Sequence, residues 1–391
     1  MTAVIAAPAP LRIAPDALAA LTSAVGETAE RFDRSAEFPR AGLEAVHRAG
    51  VFSAVVGERF GGAGLTGPDL LRVLQATGEG DPSVALILSN AVGVHLAQAQ
   101  RDVWPEDRYR ELLDALEERP VTVNTARAEP ELGAPARGGL PETTLRRTTG
   151  GWVLSGRKAY VTASEGLDYH LVWAKTDEPT PRVGHAIVPG TSEGIRVIRT
   201  WDHLGLRASS THDVVYEDVP VREEDFLEIP QDGGGYRDPS GRGGALSLAH
   251  AALYVGVARA AQGFFTRFAR ERVPSALGRA IATTERIQQV AGEIEGQLVQ
   301  AEELLYGLTD RAARGDEEAI RRTQIAKPFI VRSAISAVEQ AVAAIGNPGL
   351  TRRNPLERHL RDVLSARVHP PQEDAALVAT GRRVLGAEGL A

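Results

Sequence analysis

Cysteine is absent from the 391 residues, which excludes disulfides, thiolate metal sites and cysteine nucleophiles and leaves the redox compartment unmarked. Positive charge is not in excess either: 44 basic residues against 51 acidic ones give a net charge of -7, a poor basis for binding nucleic acid. The first ten residues, M-T-A-V-I-A-A-P-A-P, lack the basic region and long apolar core of a signal peptide. No apolar run nears the length of a membrane span, so neither export nor a membrane partner is expected and a cytoplasmic location is the default.

What is present is an ordinary globular composition, 43% hydrophobic and 24% charged, in a chain long enough for two or three domains. Residues 1–119 read as a helical domain. Leu18, Leu21 and Val25 recur at helical spacing after Asp16, Leu43 and Val46 follow Pro39, and Leu70, Leu71 and Leu74 follow Pro68-Asp69. Ser83 to Ala99 is apolar nearly all round, the mark of a helix packed between others, and Tyr109 to Leu116 adds an amphipathic piece. Gly62 to Gly67 matches G-x-G-x-x-G, but the strand-helix-strand unit that a dinucleotide turn requires is missing, so a loop between helices is expected.

From residue 120 to 231 short alternating runs with turn residues between them indicate a β-domain. Its centre is Gly150 to Asp177, where a Gly-Gly turn leads into Trp152 to Leu154, a second turn is expected at Ser155-Gly156, and strands resume at Tyr160 to Thr162 and Leu171 to Ala174. Gly233 to Gly244 lacks the Lys-Ser/Thr of a phosphate-binding loop and reads as a linker. Residues 243–391 then read as long helices with short connections, one carrying Leu248, Ala252 and Val255, the next an apolar set from Ile287 to Leu308, and a third running from about Glu317 to Ile345.

The pattern G-x-x-L-x-G-x-K-x-aromatic-V-T from Gly151 to Thr162, with A-K-T-D at Ala174 to Asp177, resembles the central β-domain of the acyl-CoA dehydrogenase flavoproteins. A second stretch, Leu204-Gly205-Leu206-Arg207-Ala208-Ser209 running to Val221, is similar to a long family segment, and the order helices, β-domain, helices is the family's. The resemblance implies an α+β fold with an N-terminal helical domain, a β-barrel-like sheet domain and a C-terminal four-helix bundle. It implies a flavin-dependent oxidoreductase using FAD, with FMN or reduced flavin as alternatives. Its substrate would be an acyl-CoA or another small organic molecule. A flavin reductase or an electron-transfer flavoprotein would be the redox partner, and the assembly a homodimer or homotetramer.

Residue by residue, the resemblance makes Thr162 the donor to flavin N5 and Tyr160 the aromatic lying against the ring, although both could merely share one face of a strand. Glu129 belongs to a reduced form of the family's flavin loop, Ala128-Glu129-Pro130-Glu131-Leu132-Gly133-Ala134-Pro135. Arg272, and Gly346 in the turn Ile345 to Leu350, match positions that reach the far half of FAD, those around Arg272 on a neighbouring subunit. Departure is greatest at the catalytic base: Pro370 stands where a glutamate is expected, and Ala245 to His250 offers no carboxylate at the family's alternative place. Glu373 as a displaced base, or His369 as an imidazole in its stead, are the candidates. With His369 the chain resembles the dibenzothiophene-type flavin monooxygenases of the same superfamily. A flavin-free acyl-binding scaffold is the remaining alternative, and no metal ligand set is seen.

Overall fold

Proline and aspartate set the starts of the early helices. The computed structural model describes residues 11, 13–132, 140–229 and 248–387. Both α1 (Pro15–Gly26) and α5 (Gly67–Gly80) carry proline in their first turn, where no N–H is needed. Between them lie α2 (Ala29–Ser35), α3 (Arg40–Arg48) and the short α4 (Val51–Ala54). The Gly62 to Gly67 loop joins a single turn at Glu58–Phe60 to α5 and follows no strand. Asp81 caps α6 (Pro82–Gln100), accepting from the N–H of Ser83 at 2.8 Å and of Val84 at 3.4 Å, so two otherwise unpaired donors are satisfied. The amphipathic α7 (Glu106–Glu118) closes this part with Tyr109, Leu112, Leu113 and Leu116 buried.

Among the described residues eight strands follow: β1 (Val123–Ala126), β2 (Thr144–Thr148), β3 (Gly151–Val161), β4 (Tyr169–Thr176), β5 (Val183–Pro189), β6 (Ile195–Ile198), β7 (His212–Val221) and β8 (Phe226–Glu228). They form one mixed sheet in the order β6-β7-β3-β2-β4-β5-β8, with β1 parallel beside β4. The turn expected at Ser155-Gly156 is not there. Gly156 instead lies within one continuous β3, at a register shift against β7, and a Cβ on it would press within 2.8 Å of Thr143. Its glycine therefore marks a bulge and a close approach, not a hairpin.

The chain ends in α8 (Ala249–Glu271), α9 (Glu285–Ala313), α10 (Glu317–Ile345), α11 (Asn347–Leu350), α12 (Leu356–Leu364) and α13 (Glu373–Val384). Ile294 and Leu298 of α9 meet Val331, Ile335 and Val338 of α10 and Val257 and Phe265 of α8 in one buried core, which also takes in Leu206 from the β-domain. Against expectation, α6 and α10 are each long and apolar enough to cross a membrane by length and composition. Their apolar surface is used inside the protein: α6 is buried nearly all round, and α10 packs on α8 and α9. The Gly233 to Gly244 linker and Ala245 to Ser247 lie outside the described residues.

Candidate active site

The end of β3 runs directly into Thr162, a buried residue whose main-chain carbonyl accepts from the Asn124 side chain at 3.0 Å. Its hydroxyl accepts from Thr211 Oγ1 at 3.1 Å, and Thr211 in turn lies 2.7 Å from Ser209 Oγ. With Thr162 as the acceptor in this relay, its own proton has no acceptor among the described residues and is available to one such as a flavin ring nitrogen. Main-chain bonds from Ala163 N to Ser209 O and from Ser164 N to Ser210 O, both 2.9 Å, bind the two segments together.

Backbone strain gathers at this junction. Six non-glycine residues among those described have positive φ, and four of them, Tyr160 (55°), Ala163 (65°), Leu206 (51°) and Ser210 (48°), belong to these two paired segments. Such conformations cost on the order of 1–3 kcal/mol each and persist where the surroundings impose them, commonly at functional sites. One consequence corrects the strand-face expectation: at the second register shift of β3, Tyr160 turns outward, 64% exposed, while Thr162 is buried. Close to Tyr160 are His203, at a centroid distance of 6.2 Å and perpendicular, and Trp201, stacked on His203 at 3.5 Å. An exposed aromatic beside a buried hydroxyl with a free proton fits the planar face and polar edge of a flavin. Thr162 and Tyr160 are the residues that would hold it.

On the bundle side, His369 lies in the turn between α12 and α13. Its Nδ1 is 2.8 Å from the Tyr254 hydroxyl, and its ring stacks on His250 at 5.0 Å. Both partners come from α8, one turn apart, so they line one face of that helix. Lys327 of α10 holds the turn itself: its ammonium donates to the carbonyls of His369 and Pro371, the latter at 3.0 Å. Burial, reinforced by His250 and Lys327, holds the His369 imidazole well below its ordinary pKa. The same burial, with Lys327, lowers His250 to about 4 and, acting on Lys327 itself, lowers that amine to about 8. Near neutral pH both rings are therefore uncharged, and each residue keeps part of its surface accessible.

The two clusters are joined through α12. Asp362 accepts from Leu206 N at 2.7 Å and acts electrostatically on Tyr254, while Arg361 donates to Asp33 of α2 and to the Leu204 carbonyl. Helical domain, sheet and bundle thus meet beside the strained Leu206 segment.

Other expected site residues lie elsewhere. Glu129 points into the β-domain, where its carboxylate accepts from Lys158 at 2.6 Å, Thr143 and Glu142 N; burial raises its pKa, but these donors outweigh burial and leave it below the ordinary value. It ties the chain at Glu129 to β3 and leaves no carboxylate oxygen of that residue without a donor among the described residues. Glu373 sits on the exposed start of α13, paired with Arg332, whose hydrogen bonds lower its pKa. Arg272 ends α8, and Gly346 ends α10 with a φ of 68° and open space where a Cβ would be. Gly133, Ala134 and Pro135 lie outside the described residues. His212 is structural, its Nδ1 accepting from the N–H groups of Thr200 and Trp201. Sequence reasoning missed Tyr254, Lys327 and Asp362 and undervalued His250; the spacing of His250 and Tyr254 on one helix face was the available signal for two of them.

Comparison with known proteins agrees with this architecture. Family models for the N-terminal, middle and C-terminal domains of acyl-CoA dehydrogenases match residues 15–101, 124–219 and 248–371. YdbM of Bacillus subtilis (strain 168), a protein of acyl-CoA dehydrogenase type, is 30% identical over 359 residues, covering 90% of this chain and 91% of its own. L-evernosamine nitrososynthase of Micromonospora sp. is 28% identical, covering 90% of this chain and 85% of its own. The X-ray structure of KijD3 with FMN and dTDP-3-amino-2,3,6-trideoxy-4-keto-3-methyl-D-glucose superimposes with a TM-score of 0.78 at 26% identity, covering 95% of this chain and 93% of that one. The chain belongs to the acyl-CoA dehydrogenase family, whose members are flavin-dependent oxidoreductases.

Proposed function

We propose that the protein is a reduced-flavin-dependent monooxygenase acting on a small organic substrate, with FMN or FAD as the flavin. The observation that carries this reading is the make-up of the His369 cluster. Its members are two neutral imidazoles, a phenol and a lysine amine, and among the described residues no carboxylate acts on the charge of His369. Removal of an acidic proton beside a thioester needs a carboxylate or an equally placed base; Glu373 is committed to Arg332 on the surface. When bound, the flavin supplies two-electron redox chemistry. Thr162 would donate to its ring edge, Tyr160 would cover its face, and His369 would hydrogen-bond at the place of reaction. The nitrososynthase relatives support this side of the family.

A second reading, acyl-CoA dehydrogenation with His369 as base, is favoured by the likeness to YdbM. A flavin reductase would serve the first reading and an electron-transfer flavoprotein the second. Assembly as a homodimer or homotetramer belongs to both, since the resemblance assigns the positions around Arg272 to a neighbouring subunit's flavin. The test is anaerobic mixing of flavin-loaded protein with straight-chain acyl-CoAs, followed by reduced flavin with oxygen. Slow or absent bleaching in the first and coupled oxygen use in the second are expected, with His369→Ala releasing more hydrogen peroxide. Rapid bleaching by an acyl-CoA would reverse the order of the two readings.

A further inference from the structure

Resting on the reading of His369 as the reactive side chain, we propose that Tyr254 and Lys327 are positioning residues that lock His369 in a single tautomer, with the proton on Nε2, so that it acts as a hydrogen-bond donor and not as a proton-abstracting base.

Tyr254 is 0% exposed, and among the described residues its hydroxyl has one hydrogen-bond partner, His369 Nδ1 at 2.8 Å. If Nδ1 carried the proton, the phenol oxygen could accept it, but the phenol's own proton would then be buried without an acceptor. Leaving such a donor unmade is costly, enough to favour the alternative by roughly tenfold or more. If the phenol donates instead, both atoms are satisfied, and neutral imidazole must carry its proton on Nε2. A difference of even 1.4 kcal/mol is a tenfold preference, so the Nε2–H form dominates. Ionisation of the phenol offers no escape, because burial and the Asp362 charge raise its pKa well above the ordinary value.

Among the described residues, the polar groups around the ring act the same way. From α8 come Tyr254 at Nδ1 and His250 against the ring face; from α10 comes the Lys327 ammonium at the turn's carbonyls. Burial and both basic neighbours oppose a positive charge on His369, so the doubly protonated form is suppressed. Lys327 adds the restraint that Tyr254 cannot. By donating to the carbonyls on either side of Pro370 it fixes the backbone from which the imidazole projects, and without it ring and phenol could rotate together. A ring with Nδ1 already occupied and Nε2 protonated has no free lone pair with which to take a substrate proton. It can only donate, which suits stabilisation of an oxygen atom during oxygenation and disfavours the dehydrogenase reading.

Nitrogen-15 NMR of full-length protein labelled at histidine tests this without turnover. The His369 resonance is the one missing from His369→Gln. Expected is the shift pattern of the Nε2–H tautomer in the wild type across pH 6 to 8, lost to a tautomer mixture in Tyr254→Phe and broadened in Lys327→Met. In the flavin-loaded enzyme Tyr254→Phe should lower turnover by on the order of a hundredfold, the low end of what a positioned proton-donating side chain contributes. A wild-type Nδ1–H pattern would overturn the proposal, as would an unaltered Nε2–H pattern in both variants. Should Tyr254→Phe fail to fold, the wild-type and Lys327→Met spectra still decide. An Nε2–H spectrum as expected, together with His369→Ala of undiminished turnover, would leave the lock standing and sink the functional reading on which it rests.

Discussion

Thr162 shows how far a single side chain can be read. Its place after Tyr160-Val161 makes it a candidate donor to a flavin, but only the contact from Thr211 indicates that its proton is available to be given. Valine keeps nearly the same shape and suits the end of a strand, so Thr162→Val should retain flavin, checked by absorbance after gel filtration. Loss of one active-site hydrogen bond should slow the redox step by about ten- to a thousandfold in stopped-flow measurements. An unchanged rate would make Thr162 purely structural. Glu129 teaches the opposite lesson: its pairing with a lysine 29 residues away is invisible in a local motif, because burial chooses the partner.

At the scale of elements, α8 carries His250 and Tyr254, and its position is set by a crossing with α5. Gly78 and Gly256 face the other helix there: a Cβ on Gly78 would come within 2.7 Å of Leu253 Cα, and one on Gly256 within 2.6 Å of Glu79 N. These obstacles are backbone atoms, which no rotamer change can clear. Gly256→Ala gains roughly 1 kcal/mol in helix propensity, yet forcing the helices apart costs about 1–3 kcal/mol. Net destabilisation in urea unfolding is therefore expected, together with a shifted His369 resonance; a variant as stable as the wild type with an unmoved resonance would show that the crossing is not tight. Helix starts were legible because proline and aspartate act locally. Gly156 was misread because a bulge and a turn use the same residue, and the choice between them depends on a partner strand more than fifty residues away.

For the whole molecule, α12 is where three parts of the chain converge, and Asp362 makes that junction depend on pH. Burial, opposed by its bond from Leu206 N and by Arg358, raises its carboxyl to about 7. In the unfolded chain the same group titrates near about 3.9. Between these values the folded state holds a proton that the unfolded state has lost, so the contribution is fully present below about pH 4 and disappears as pH rises through about 7. Asp362→Asn keeps an oxygen for Leu206 N but cannot titrate. Relative to wild type, its unfolding free energy should climb by at most about 1.4 kcal/mol per pH unit between pH 5 and 7. Parallel stability curves for the two proteins would show that Asp362 is ionised in the fold throughout that range.

The amino-acid order by itself determined the succession of helices, sheet and bundle, the family, and the candidacy of Thr162, Tyr160 and His369, because apolar periodicity, caps and a long local pattern are all carried by near neighbours. Tertiary structure alone decided which candidates have free chemistry. It gave Glu129 to Lys158 and Glu373 to Arg332, turned Tyr160 outward from Thr162, and brought Tyr254, His250 and Lys327 from two helices onto His369. The reason is physical: a hydrogen bond or a desolvated charge is fixed by what lies within a few ångströms, and in a folded chain most of those neighbours are remote in sequence.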